Sequence, residues 1–149
     1  MDSLPFGFEK PADSPGFLLW QTSTIWQRQI KKALDAYEVS HAQFVIMALT
    51  LWFGANNYNA NQILISKWSK LDKMTVSKSL KKLVLLGLVT REEDSKDTRA
   101  KCVLLTDKGK KLLDTLVPIV EDIDRKFFER VSVYEQKSLT HTLGKLSAD

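Results

Sequence analysis

The sequence predicts a mainly α-helical fold carrying one small β-hairpin, an α+β chain, and three observations predict it. Apolar residues recur at three- and four-residue steps through most of the chain. Two short runs rich in β-formers, 88–92 and 100–105, flank a polar tip. Residues suited to start or stop helices, Asn61, Asp72, Gly87, Thr106 and Ser132, punctuate the periodic stretches.

Residues 1–15 hold three of the four prolines and no sustained periodicity, and read as an arm. The N-terminus has no basic stretch followed by an apolar one, so a signal peptide is not expected. From Gly16 to Tyr37, Leu18, Leu19, Ile25, Trp26, Ile30, Leu34 and Tyr37 mark an amphipathic helix. The next helix, Ala42 to Ala55, is apolar nearly all round and belongs at the centre of a bundle or between subunits. Its longest apolar run, Phe44 to Ala55, falls well short of the roughly 20 residues a bilayer requires.

Asn61 caps a short helix, Gln62 to Trp68; Lys70 and Leu71 turn the chain; Asp72 caps a further helix to about Leu86, which Gly87 ends. Strands Leu88–Glu92 and Ala100–Leu105 form the hairpin. Thr106 opens a long helix to about Val131, with Pro118 inside it, where a missing backbone donor should bend it. Ser132-x-x-Glu135 is a capping box for the last helix. A helix–turn–helix followed directly by a hairpin is the winged-helix layout. The expected organisation is therefore an arm (1–15), helices shared between core and subunit contact (16–56), a winged helix–turn–helix DNA-binding region (57–106), and C-terminal dimerisation helices (107–149).

Charge points to a partner. Of the 149 residues, positions 62–111 hold 13 Lys and Arg against 6 Asp and Glu, whereas the remainder holds 9 against 12. A basic segment between acidic arms attracts a polyanion, and nucleic acid is the commonest; a merely solvated basic face is the alternative. In the fourth helix Val76, Leu80, Leu83 and Val84 form the expected buried stripe. Off it stand Lys73, Thr75, Ser77, Lys78, Lys81 and Lys82, long cations for phosphates and short hydroxyls for base edges, suited to a major groove about 12 Å wide.

The stretch from Arg91 through Lys96, Asp97, Arg99 and Leu105-Thr106 to Gly109 resembles the wing of the MarR family of bacterial regulators. There Asp-x-Arg precedes a strand and then Leu-Thr-x-x-Gly opens a helix. Thr75-Val-Ser-Lys-x-Leu-x-x-Leu-x-x-x-Gly-Leu-Val is similar to that family's recognition helix and the strand after it. The residue-level resemblance covers about Asn61 to Lys110. It implies a homodimeric transcriptional repressor on a pseudo-palindromic duplex site, with Arg99 in the minor groove, Asp97 fixing its direction, and Arg91 and Lys96 also at the DNA. The alternative for Asp97 and Arg99 is an ion pair that stabilises the hairpin. Thr98 departs from the family pattern, where many members have a second Arg; Leu64-Ile65-Ser66 replaces Glu-Leu-Ala, and Trp68 is large for its helix.

The resemblance also implies a small aromatic effector, for which Trp20, Trp26 and Trp52 are the candidate contacts; simple core is their alternative. Phe17, Leu116, Ile123, Phe127, Phe128, Leu139 and Leu143 are the candidate dimer contacts, because one small domain cannot cover so much apolar helix. The single Cys102 excludes an internal disulfide framework and fits a reducing, cytoplasmic setting. It reads as inert rather than as a redox switch. His41 and His141 are too far apart in sequence to suggest a metal site. No nucleophile–base grouping, carboxylate pair or phosphate loop is visible, so neither an enzyme nor a cofactor is expected. A winged helix that binds protein instead of DNA is the rival reading.

Overall fold

The structure, a computed structural model, describes residues 3–93 and 101–149. A 3-10 turn, Pro11–Asp13, leads into α1 (Pro15–Asp35), α2 (His41–Ala55), α3 (Gln62–Ser69) and α4 (Lys73–Leu85). Strands β1 (Val89–Glu93) and β2 (Lys101–Leu105) follow, then α5 (Asp107–Phe128) and α6 (Val133–Ser147). The strands pair antiparallel, with Val89 opposite Leu105 and Arg91 opposite Val103. The mainly helical fold with one hairpin is the fold the sequence predicts.

Local chemistry sets the boundaries. Asn61 Oδ1 accepts the Leu64 N–H at 2.8 Å, Asp72 Oδ1 that of Thr75 at 2.8 Å, and Thr106 Oγ1 that of Gly109 at 3.0 Å. Each satisfies a donor that the first helical turn leaves over. Ser132 and Glu135 form the reciprocal capping box expected of them, and Ser40 with Gln43 forms another. At the end of α4, Leu88 N–H bonds Leu83 C=O at 2.9 Å and Gly87 N–H bonds Val84 C=O at 3.0 Å. That double closure turns the chain through Gly87 at φ +72°, a conformation glycine adopts without steric cost. Helix α5 stops at Phe128, three residues before the expected Val131, since Glu129 already serves as its C-cap.

The core joins α1 through Ile30 and Leu34, α2 through Ile46, Met47 and Phe53, and α3 through Ile65. It continues into α4 through Val76, Leu80 and Leu83, the hairpin through Val89 and Val103, and α5 through Leu113, Leu116 and Val120. Thr50 is buried in α2 and donates its hydroxyl to the Ile46 carbonyl at 2.7 Å. Two sequence expectations are corrected here. Val84 is 41% exposed and Ser79 takes its place against the core. Leu116 is fully buried inside its own chain, so it belongs to this core and not to a surface that meets another subunit.

Helices α1, α2 and α5 meet at a polar junction. Trp26 Nε1 donates to Asp124 Oδ1 at 2.7 Å, and the His41 ring stands edge-on to Trp26 with centroids 5.2 Å apart. Burial pushes the His41 pKa down, partly opposed by the Asp124 charge. At the far end of α2, Trp52, Phe53, Tyr58 and Trp68 pack ring against ring at 5.1–6.0 Å. Among the described residues no helix is long and apolar enough to cross a membrane.

Candidate nucleic-acid interface

Successive residues of an α-helix are about 100° apart, so positions i, i+4, i+7 and i+11 share a face. In α4 those positions on the side away from the core are Met74, Lys78, Lys81 and Leu85. All four are exposed, Met74 by 67% and Leu85 by 83%. Lys73 and Lys82 flank this face and are exposed too. Among the described residues none of the four lysines takes part in an ion pair, so their charge faces solvent uncompensated.

The hydroxyls stand differently. Thr75 is half-buried and donates its Oγ1–H to Asp72 Oδ2 at 2.8 Å, so it completes the cap of α4. Ser77 is also half-buried. The Thr75 backbone N–H, and then its hydroxyl, hold the Asp72 carboxyl below the ordinary carboxylate range. A carboxylate at this helix start also suits the positive end of the helix dipole.

Three short connections place the hairpin beside α4. The Val103 N–H bonds the Ala60 carbonyl at 2.7 Å, fastening the chain before α3 to β2. Arg91 Nη2, on β1, donates to Gln62 Oε1 at 3.1 Å. Gln62 Nε2 in turn donates to the Lys73 carbonyl, on the first residue of α4, at 3.4 Å. On the other side, the Thr106 Oγ1–H bonds the Gly87 carbonyl at 2.6 Å and Lys108 Nζ the Leu86 carbonyl at 2.8 Å, tying α5 to the end of α4. The wing root and the lysine face therefore belong to one packed unit.

Of the sequence-predicted DNA contacts, the structure brings Lys73, Lys78, Lys81, Lys82 and Arg91 to this unit. Lys96, Asp97 and Arg99 lie outside the described residues. Met74 and Leu85 were absent from the sequence reading, although the same spacing that places Lys78 and Lys81 also places them. Gln62 was missed as well, and only its bond to Arg91, 29 positions away, reveals it.

The three tryptophans are not gathered. Trp20 is exposed on α1, Trp26 occupies the junction with Asp124 and His41, and Trp52 belongs to the ring cluster between α2 and α3. Phe17, Leu139 and Leu143 are exposed, Phe127 and Phe128 half-buried against each other, and Ile123 packs partly on the core. Among the described residues no three His, Cys, Asp or Glu side chains gather to hold a metal ion.

Comparison with known proteins agrees with the winged-helix fold. Residues 35–123 match the family model described as the ArnR1-like winged-helix domain. The uncharacterized HTH-type transcriptional regulator YdcH of Bacillus subtilis (strain 168) is 35% identical over 121 residues, spanning 81% of this chain and 82% of YdcH. The structure of Bordetella bronchiseptica BpsR, solved to explain regulation of its DNA binding by 6-hydroxynicotinic acid, superposes with a TM-score of 0.84 at 23% identity, over 96% of this chain and all of that one. A mutant of MarR from E. coli complexed with operator DNA superposes with a TM-score of 0.77 at 20% identity, over 88% of this chain and 91% of that one. With a winged-helix domain matched across the lysine face and the wing root, and a transcriptional regulator more than one-third identical along four-fifths of its length, this chain belongs to the MarR family of winged-helix transcriptional regulators.

Proposed function

We propose that the chain is a homodimeric repressor that binds a pseudo-palindromic duplex site, with α4 in the major groove. The observation that carries this reading is the row Met74, Lys78, Lys81 and Leu85, exposed and uncompensated beside the wing root. Lysines spaced along one face meet phosphates on both walls of a groove, while the apolar ends can lie against thymine methyl groups. Lys73, Lys82 and Arg91 extend the positive surface. The wing tip residues Lys96, Asp97 and Arg99 take the minor groove in this proposal, with Arg99 as the inserted side chain.

A second copy of the chain is the proposed cover for the outer helices. Helix α6 has no buried residue, and α1 exposes Phe17, Leu18, Leu19 and Trp20 in succession. Apolar surface on that scale, with Leu139 and Leu143 on α6, suits a two-fold contact, which sets two α4 helices to successive major grooves. A small aromatic ligand is the proposed releasing signal. The likeness to BpsR supports it, and Trp20 and Trp26 on α1 are the candidate contacts; Trp52 stands with its own ring cluster.

The test is selection of duplexes from a random pool by the full chain, followed by titration of the recovered duplex against salt. We expect one inverted-repeat consensus, a complex containing two chains of 17.0 kDa each, and affinity that falls steeply with salt as phosphate contacts release counterions. A pool that stays unenriched would leave the protein-binding reading in its place.

A further inference from the structure

Gln62 carries a feature that the DNA-binding reading does not require. It is the first residue of α3, and its one planar amide faces two groups of opposite character. Arg91 can only donate and the Lys73 carbonyl can only accept, so the amide must offer its oxygen to the wing strand and its nitrogen to α4. Few side chains serve both ends: glutamate lacks the donor, lysine lacks the acceptor, and asparagine is one methylene short. Two residues earlier, Ala60 accepts the Val103 N–H at 2.7 Å, which fixes the approach to α3 on β2. The segment 60–62 thus touches both strands of the hairpin and the first residue of α4.

From this geometry we infer that Gln62 is a positioning residue for DNA recognition: it holds the Arg91 guanidinium in register with the N-terminus of α4, so that wing and helix meet the duplex as one rigid surface. The inference rests on the DNA-binding reading above and specifies how its two halves are aligned. Among the described residues Gln62 is the only hydrogen-bond partner of Arg91. The guanidinium has five N–H donors, so the rest are available to a phosphate at the seam between wing and helix. A guanidinium aimed before binding loses less side-chain freedom when it meets that phosphate.

The experiment is a double-mutant cycle on the duplex that the wild-type chain recovers from a random pool, using Q62A, R91A and the double variant. Each single variant should weaken binding by about tenfold, the loss of one hydrogen bond to a charged group. Because Gln62 acts through Arg91, Q62A in the R91A background should cost less than about a further twofold. A purely structural role for Gln62 would instead multiply the two losses, and that result, or wild-type affinity in Q62A, overturns the inference. R91K keeps the charge without the planar fork. It should weaken binding by about fivefold at an unchanged melting temperature, and carries the test should Q62A fail to fold. Wild-type affinity in R91K is equally fatal. A wild-type chain that recovers no duplex removes the DNA-binding reading itself, a failure distinct from a duplex bound with independent losses.

Discussion

Replacing Gly109 with alanine should lower stability by about 3 kcal/mol, seen as a melting temperature about 6–12 °C lower at fixed protein concentration. Gly109 is buried in the first turn of α5, and its N–H caps on Thr106. A Cβ placed there would overlap the Leu88 carbonyl oxygen and approach Leu105 Cδ2 to 3.2 Å. Neither neighbour is free to retreat. The Leu88 carbonyl accepts the Thr106 N–H at 3.1 Å, and the Leu88 N–H closes the turn after α4. Backbone held from two sides does not yield as a flexible side-chain tip would, so the methyl must push α5 away from the hairpin. The control is Gly144 in α6, where an added Cβ meets nothing within 4 Å. There alanine should stabilise by about 0.5–1 kcal/mol, through helix propensity alone. Equal effects at the two glycines would mean that the close approach of α5 to the Leu88 carbonyl is wrong.

The second large effect is expected on binding rather than folding. Lys78→Glu with Lys81→Glu should reduce affinity for the selected duplex by about a hundredfold or more at moderate salt, because attraction to phosphates becomes repulsion at two positions of each α4. The fold should be indifferent, since both side chains are exposed and neither breaks an ion pair among the described residues. Filter binding and thermal melting, run side by side, separate the two consequences. Arg28→Glu with Lys32→Glu on α1 makes the same change in net charge away from α4, and should cost only the modest loss of long-range steering. If the α1 pair costs as much as the α4 pair, net charge and not a surface is being measured.

Much of this was legible in the sequence for a physical reason: helix starts are local. An Asn, Asp, Ser or Thr oxygen reaches the N–H three residues on, so Asn61, Asp72, Thr106 and Ser132 announce their helices without any knowledge of tertiary structure. The wing motif is similarly compact. What could not be read depended on distant partners. Periodicity locates the centre of a buried stripe but not its edge, so Val84 and Ser79 exchanged roles. The apolar face of α5 is continuous from Leu113 to Phe128, and its spacing does not say where its own core ends; Leu116 fell on the inner side. The tryptophans share a residue type and not a location: Trp26 sits where α1 meets the start of α2, Trp52 packs with Trp68 at the far end of α2, and Trp20 is exposed on α1. The Gln62–Arg91 bond leaves no trace in spacing, and only the packed structure shows it.

The most direct test of the central claim, that the exposed face of α4 lies against DNA bases, is photocrosslinking from a single position. A benzophenone-bearing amino acid at Met74, which is solvent-exposed in the free chain, should form a covalent adduct within the consensus of the selected duplex when irradiated at low salt, and little or none when irradiated at high salt, where the complex has dissociated. Adducts to protein alone, with the same duplex bound and the probe active, would show that this face is turned elsewhere and contradict the account.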